Sequence, residues 1–302
     1  MIFAADGVII SEEKYLNSAA LTVMELLGKI TDFKKIEAEA ENITEKVFCS
    51  NKTVSNARKL GVITNHDLSF YTYCLLLLNG CNYTAACNFF CSAVKNVAEL
   101  RDYILGELGD DYSYKGKVWG KVGNVFKAWY AGNRKKSGFI SKEQPVVEIQ
   151  RLNSMLDTVS SCGVNLGIAS GRPWEDTVTP LINLGILKYF NINLISTQLD
   201  VDGVEKLFGK IVSKPHPYPF VKAVLGKNFD DDKILSGEYN IDTDEILAVG
   251  AYPEDITSAR AAGLKFAAVL TGTDGEAART SFYESGADYI FSDILEINEL
   301  FA

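Results

Sequence analysis

The second half of the chain alternates short apolar stretches with amphipathic ones, and this alternation restricts the fold more than any other feature. Strands are predicted at VNLGIAS, NINLIST, EILAVGA, KFAAVLTG and within SGADYIFSD, and helical patterns such as VVEIQRLNSMLDTVSSCG, PFVKAVLG and PEDITSARAAG lie between them. Strands that alternate with helices form parallel sheets, because each helix carries the chain back across the sheet before the next strand begins. The sequence therefore predicts an α/β protein with a doubly wound parallel sheet.

The opening of the chain belongs to this later sheet. Residues 2–10, IFAADGVII, are predicted as a short buried strand that runs into an Asp-Gly turn. This strand has no strand partner near it in the sequence, so we expect it to pair with the strands that follow residue 148. The predicted organisation is an α/β core made of residues 1–11 and 146–302, interrupted by a helical cap domain over residues 12–145.

The first two thirds of the predicted cap carry a helical pattern. Segments such as YLNSAALTVMELLGKI and DLSFYTYCLLLLNG place apolar residues three and four positions apart, which is the spacing of one helix face. We expect Asn65 or Asp67 to cap the second of these helices.

Four short polar motifs follow the predicted strands or open the helices between them. In an open parallel sheet, ligands bind at the carboxyl ends of the strands, where such motifs meet. The motifs are Ala4-Ala5-Asp6-Gly7-Val8, Ser170-Gly171-Arg172-Pro173, Lys214-Pro215-His216-Pro217 and Gly250-Ala251-Tyr252-Pro253-Glu254-Asp255.

In this order and spacing the four motifs resemble those of the haloacid dehalogenase superfamily. The Lys-Pro-x-Pro motif and the Ser-Gly-Arg-Pro motif are most similar to its phosphoglycolate-phosphatase-like branch, and the resemblance covers the predicted core, about 170 residues. It implies a Rossmann-like core with an inserted all-helical cap. It also implies the chemistry of a magnesium-dependent phosphoric monoester hydrolase.

The resemblance assigns a role to each matching position. In the first motif Ala4 stands at the nucleophile position and Asp6 at the acid/base position. Ser170, Gly171 and Lys214 match the phosphate-binding positions. In the fourth motif a magnesium-ligand position falls on Ala251, and Asp255 is a retained carboxylate.

The two alanines predict a loss of catalysis. A methyl group cannot attack phosphorus, and Mg²⁺ prefers oxygen ligands in an octahedral array, so we expect magnesium binding to be weak or absent. Ser170, Lys214 and nearby helix N-termini remain, so we expect a pseudophosphatase that still binds phosphate or another anionic phosphorylated molecule. Two alternatives stay open: a magnesium-dependent phosphomonoester hydrolase represented by an inactivated Asp-to-Ala form, and a non-enzymatic protein-interaction module.

The end of the predicted cap is basic and aromatic. From Tyr114 to Lys142 there are eight basic residues and no acidic one, among several aromatic residues and glycines. We interpret this segment as a flexible cationic lid for an anionic ligand. The alternatives are a solvated basic face whose aromatic side chains pack inward, and a surface for single-stranded nucleic acid. The candidate substrate-contacting residues are Lys115, Lys117, Trp119, Lys121 and Trp129.

Charge and composition limit the kinds of partner and the cellular location that we expect for this protein. A net charge of −9 argues against general nucleic-acid binding, and no apolar run is long enough to cross a bilayer. The first ten residues lack a basic signal-peptide region, so we expect a cytoplasmic protein with reduced thiols and, besides a small anionic ligand, room for a protein partner. Cys81, Cys87 and Cys91 are close enough in sequence for a zinc site, but we favour small buried hydrophobic side chains.

Overall fold

The computed structural model describes residues 1–301, and all six strands of its described residues belong to one parallel sheet. The sheet order is β3-β2-β1-β4-β5-β6, so the chain winds outward from the centre in both directions. The predicted doubly wound α/β fold is confirmed. The strands are β1 (Ile2–Phe3), β2 (Leu166–Ala169), β3 (Phe190–Ser196), β4 (Leu247–Gly250), β5 (Lys265–Val269) and β6 (Tyr289–Phe291).

Strand β1 lies at the centre of the sheet, although it comes first in the chain. Ile2 is in register with Gly167 of β2 on one side and with Ala248 of β4 on the other, which confirms that the opening strand pairs with the later ones. The prediction of a short buried strand that runs into an Asp-Gly turn is confirmed, and the strand itself comprises only Ile2 and Phe3. The backbone turns at Gly7, which has a φ of +69°, and the Gly7 amide donates to the Ile10 carbonyl at 2.9 Å.

Residues Glu13–Lys142 form a compact unit with a hydrophobic core of their own. Thr64, rather than Asn65 or Asp67, caps α5, because its side chain accepts a hydrogen bond from the Asp67 amide. The helices are α1 (Glu13–Leu26), α2 (Phe33–Ala38), α3 (Ala40–Val47), α4 (Lys52–Lys59), α5 (Asn65–Leu78), α6 (Tyr83–Ser92), α7 (Val97–Leu108) and α8 (Lys117–Ala131), with 3₁₀ turns at Asp110–Tyr112 and Ile140–Lys142.

Met1–Glu12 and the described residues from Glu143 onward form the second unit, which contains the sheet. Its α-helices are α9 (Ile149–Ser161), α10 (Trp174–Asn183), α11 (Gln198–Phe208), α12 (Tyr218–Leu225), α13 (Asp231–Ser236), α14 (Pro253–Ala261) and α15 (Arg279–Glu284). Its 3₁₀ helices are Leu187–Tyr189, Thr243–Glu245, Gly275–Ala278 and Ile294–Phe301.

The sheet has a hydrophobic layer on each face. Successive residues of a strand point to opposite faces, so Phe3 joins the cluster that contains α9 and α10, and Ile2 joins the cluster that contains α11 to α15. Both layers exclude water from the strands and fix the strand ends in space. The polar motifs that follow the strands are therefore carried by a rigid support.

No helix among residues 1–301 combines the length and the apolar character that a membrane crossing requires.

Candidate functional site

The first, second and fourth motifs lie side by side at the carboxyl edge of the sheet. Strands β1, β2 and β4 are parallel neighbours, so Ala4, Ser170 and Ala251 each follow a strand at the same edge. The Ala4 amide donates to the Val249 carbonyl at 2.8 Å, which holds the first motif against the end of β4. The structure thus brings together residues that are more than 160 positions apart in the sequence.

The methyl group of Ala251 is enclosed by glycine backbone. A Cβ built on Gly7 would lie 3.0 Å from the Ala251 Cβ, and one built on Gly272 would lie 3.2 Å from it. Ala4 and Ala251 are 3% and 4% exposed, respectively. Glycine at both positions lets these backbones approach residue 251, because any side chain on Gly7 or Gly272 would press against the Ala251 methyl group.

Asp6 is held in a buried ion-pair network with Arg172 and Glu143. The Arg172 Nε donates to Asp6 Oδ1 at 2.8 Å, and its Nη1 donates to Glu143 Oε1 at 2.7 Å. The side chains of Arg172 and Glu143 are each 1% exposed. A buried guanidinium is stable only when its charge is compensated, and here two carboxylates compensate it.

The Ser170 hydroxyl is also part of this edge. Its Oγ accepts hydrogen bonds from the Arg172 amide at 3.0 Å and from the Thr177 hydroxyl at 3.1 Å. The hydroxyl's own proton is therefore available for a third group. A Cβ on Gly171 would meet no atom within 4 Å, so the backbone next to Ser170 is open.

Lys214 and Asp255 form a second buried pair. The Lys214 Nζ donates to Asp255 Oδ1 at 2.7 Å and to the Ala169 carbonyl at 2.8 Å. The other oxygen of Asp255 accepts the amides of Ala251 and Tyr252 at 3.1 and 3.2 Å. Asp255 lies in the first turn of α14, where the helix dipole also stabilises its negative charge.

Sequence reasoning missed four residues of this edge: Tyr252 within the fourth motif, and Glu12, Glu143 and Thr273 outside the motifs. The Tyr252 hydroxyl donates to Glu12 Oε2 at 2.6 Å and lies 3.3 Å from the Thr273 Oγ1. Glu143, the second partner of Arg172, was missed as well. Tyr252 follows Ala251 directly and was visible within the fourth motif, whereas Glu12, Glu143 and Thr273 lie outside all four motifs.

At this edge of the sheet, carboxylates outnumber cations. Four carboxylates, those of Asp6, Glu12, Glu143 and Asp255, accompany two cations, Arg172 and Lys214, and each cation is paired with at least one carboxylate. The expectation that Lys214 binds an anion stays a prediction, and the structure adds that its Nζ is already paired with Asp255. Any anion that binds here competes with carboxylates that belong to the protein.

The edge does not fit a magnesium centre. Mg²⁺ binds in proteins through carboxylate and other oxygens, yet alanine occupies position 251, which the resemblance gives to a magnesium ligand. Both oxygens of Asp255 accept hydrogen bonds, and Asp6 is paired with Arg172. Among residues 1–301, no group of three or more His, Cys, Asp or Glu side chains is placed to hold a metal ion.

The basic and aromatic segment lies in the helical unit, where its aromatic side chains mostly face inward. Trp129 is completely buried, with the Lys136 Nζ 4.5 Å from its ring centroid, so the expectation that Trp129 contacts a ligand was wrong. The Trp119 indole is partly buried and donates to Asp67 Oδ1 at 2.8 Å. Lys115, Lys117 and Lys121 are exposed. Much of the predicted flexible lid is the continuous helix α8, because its apolar residues anchor it to the core of this unit.

Comparison with known proteins identifies the fold. Residues 126–269 match the family model described as haloacid dehalogenase-like hydrolase. The matched range contains Ser170, Lys214 and Ala251, but it does not reach Ala4 and Asp6. No curated protein matches the chain significantly.

Several solved structures share the fold over nearly the whole chain. A protein solved by the Northeast Structural Genomics Consortium, whose name states no function or organism, is 25% identical, with a TM-score of 0.78 over 99% of this chain and 97% of its own. A candidate phosphoglycolate phosphatase from Lactobacillus delbrueckii subsp. bulgaricus is 17% identical, with a TM-score of 0.55 over 99% and 96%. A candidate phosphatase from Clostridium difficile is 16% identical, with a TM-score of 0.54 over 100% and 97%.

Proposed function

We propose that this chain, which has the fold of the haloacid dehalogenase-like hydrolases and matches their family model, binds a small phosphorylated or other anionic molecule without hydrolysing it. The observation that carries the proposal is the pair of buried methyl groups, Ala4 and Ala251, at the ends of the first and fourth strands. Some related structures are named as phosphatases. We propose binding without hydrolysis because alanine stands at both of these positions in this chain.

Covalent catalysis needs an oxygen or sulfur that can attack phosphorus. Ala4 offers neither, so no phosphoenzyme bond can form at the expected position. The neighbouring Asp6 does not replace it, because its carboxylate is already paired with Arg172 at 2.8 Å. A carboxylate in such a pair is a weak nucleophile and a poor proton shuttle, since either role would separate the pair.

The remaining groups support binding of an anion. Ser170 can donate its hydroxyl proton, and Lys214 has one N–H beyond the two that it donates to Asp255 and Ala169. The N-termini of α10 and α14 begin at this edge of the sheet, and exposed helix amides attract negative charge. Because the two cations are already paired, we expect the affinity to be weak and not to depend on magnesium.

Isothermal titration calorimetry with inorganic phosphate and with sulfate tests this binding, each in the presence and absence of Mg²⁺. We expect binding that Mg²⁺ does not strengthen and that Ser170→Ala weakens. Ser281→Ala is the matched control, because Ser281 is exposed on α15 and lies outside the four motifs. Absence of phosphate and sulfate binding at millimolar concentrations contradicts the binding part of the proposal.

A second function is a non-enzymatic interaction module. The observation that favours it is the internal pairing of both cations, since a network satisfied by the protein itself stabilises a fold without any ligand. If calorimetry finds no small anion and the chain hydrolyses no phosphate ester, this second function replaces anion binding.

A further inference from the structure

Helix α11 and the residues just after it expose large apolar side chains that contact little else in the monomer. Leu199 and Leu207 on this helix are 65% and 76% exposed, and Ile211, just beyond its end, is 70% exposed. The opposite face of the helix carries Val201 and Val204, which are buried in one of the two layers that cover the sheet. The helix is thus anchored by its valines, and its leucines contribute nothing to that core.

A glycine lies between the two leucines. Leu199, Gly203 and Leu207 are four residues apart, so they form a row along one side of the helix. A glycine inside a helix costs about 0.5–1 kcal/mol relative to alanine. No conformational demand explains it, because Gly203 does not have a positive φ and a Cβ built on it would meet no atom within 4 Å. In the monomer, Gly203 only leaves the helix backbone exposed to solvent.

We propose that the row Leu199, Gly203 and Leu207 is the contact surface for a second copy of this chain. In this arrangement the two α11 helices cross a twofold axis at Gly203 in antiparallel orientation. The absence of side chains at Gly203 lets the backbones approach closely, and Leu199 packs against Leu207 of the partner subunit. A twofold contact is the commonest way in which identical chains associate.

The charges beside this row are complementary in the same arrangement. Asp202 and Lys206 are both exposed, and their spacing of four places them together on one side of the leucine row. When the helix meets its own antiparallel copy at Gly203, the Asp202 position of one copy and the Lys206 position of the other lie on the same side of the row, within one helical turn of each other. The chain carries a net charge of −9, so most of its surface repels a second copy. This locally balanced apolar face avoids that repulsion, which favours self-association over the other surfaces.

Sedimentation of the full chain over a range of concentrations tests the proposal. A contact built on one helix face is small, so we expect a weak dimer whose population grows at tens of micromolar chain and above. Leu207→Asp is expected to abolish the dimer without changing the fold, because the side chain is exposed in the monomer. Tyr283→Asp is the matched control: Tyr283 is 77% exposed, on α15, and this variant is expected to associate like the unmodified chain.

Crosslinking tests the twofold geometry separately. With the exposed Cys91 and Cys162 changed to serine, Gly203→Cys is expected to form a disulfide-linked dimer under mild oxidation, and Tyr283→Cys is not. A chain that stays monomeric at all concentrations overturns the proposal. The row would then be a contact surface for a helix of another protein. A dimer that Leu207→Asp does not affect, or one in which Gly203→Cys fails to crosslink, overturns it too.

Discussion

At the scale of single residues, Arg172 has the most consequential position in the α/β unit. Its guanidinium is almost completely buried and lies between the carboxylates of Asp6 and Glu143. Taking three charges out of water is costly, and the network is tolerable only while all three members are present. Arg172 thus ties the first motif to the second and to the segment that precedes α9.

Arg172→Met tests this dependence. The variant leaves two carboxylates close together without a cation, so we expect the free energy of unfolding to fall by about 3–5 kcal/mol. Urea denaturation followed by circular dichroism measures the change. Arg134→Met serves as the control, because Arg134 is exposed and its replacement should shift stability by less than about 0.5 kcal/mol. A loss as small as the control's would show that Arg172 is not needed to compensate these carboxylates.

Placing aspartate at residues 4 and 251 tests the proposed pseudophosphatase against the alternative of an inactivated hydrolase. We expect the Ala4→Asp, Ala251→Asp double variant to release no phosphate from p-nitrophenyl phosphate with Mg²⁺. Residues 4 and 251 are buried, so two further carboxylates would join Asp255 away from water with no added cation to compensate them. We also expect the free energy of unfolding to drop by about 2 kcal/mol or more.

The control for this experiment is Ala251→Asn, which has nearly the same shape as the aspartate without its charge. A smaller loss of stability in this variant would identify charge burial as the cause. If the double variant instead hydrolyses the ester at an enzymatic rate, the rest of a working site is intact, and the alternative of an inactivated hydrolase is correct.

At the scale of helices and strands, the apolar pattern predicted the later strands well. Strands β2, β4 and β5 are almost wholly buried and therefore apolar, whereas β3 and β6, at the edges of the sheet, are partly exposed. The Asp-Gly turn that the sequence predicts after the opening strand is present, but the apolar pattern did not show how early that strand ends. The segment AADGVII is just as buried, but it forms turns around Asp6 and Gly7 instead of extending the strand. Buried turns and buried strands have the same hydrophobicity, so the pattern alone does not separate them.

The sequence predicted most residues of the candidate site that lie within the motifs, but not the contacts between them. Ala4, Asp6, Ser170, Lys214 and Ala251 were identified because each adjoins a strand end or opens a helix. Their pairing was not, since Glu143 is 29 residues from Arg172, and Glu12 is 240 residues from Tyr252. Contacts over such separations depend on how the chain folds back, which local sequence patterns do not encode. The pairing of Arg172 with Glu143 and of Tyr252 with Glu12 was therefore not predicted.

Helix α12 has an acid-sensitive start. His216 Nδ1 accepts the Tyr218 amide at 3.1 Å, and protonation of that nitrogen would remove the bond. Burial, with a smaller contribution from Lys210, lowers the pKa of His216 below its usual 6.5. The unfolded chain therefore binds this proton more readily than the folded chain. The stabilisation is present above pH 6.5 and is lost as the pH falls.

His216→Asn measures that contribution. The amide oxygen of asparagine can also accept at a helix start, but it does not titrate. Between about pH 7.5 and about pH 5.5, we expect the urea midpoint of the unmodified chain to fall further than that of this variant. Ser281→Ala, at an exposed residue of α15 that does not titrate, should retain the full dependence on pH. Equal pH dependence in the unmodified chain and His216→Asn would contradict the assignment.

At the scale of the whole molecule, the chain contains two units, each with its own hydrophobic core. The two ends of the α/β unit at the insertion lie side by side: the Ser11 amide donates to the Gln144 carbonyl at 2.8 Å, and Ile10 forms an antiparallel bridge with Pro145. The helical unit is thus inserted between two adjacent backbone positions. A short connection can span such a gap.

Replacing residues 13–142 with a short Gly-Ser linker tests the independence of the α/β unit. We expect a folded protein that keeps the circular dichroism of an α/β sheet and a cooperative urea transition, because no member of its two hydrophobic layers is removed. Loss of the cooperative transition would show that the α/β unit needs the helical unit in order to fold.

The most direct test of the central claim is a phosphatase assay of the unmodified chain with p-nitrophenyl phosphate and with phosphoglycolate, at saturating Mg²⁺. Ala4 cannot accept a phosphoryl group, so we predict no release of phosphate above a protein-free control. A turnover of about 1 per second or faster, in the range of ordinary enzymes, would contradict the claim that this site has lost hydrolysis.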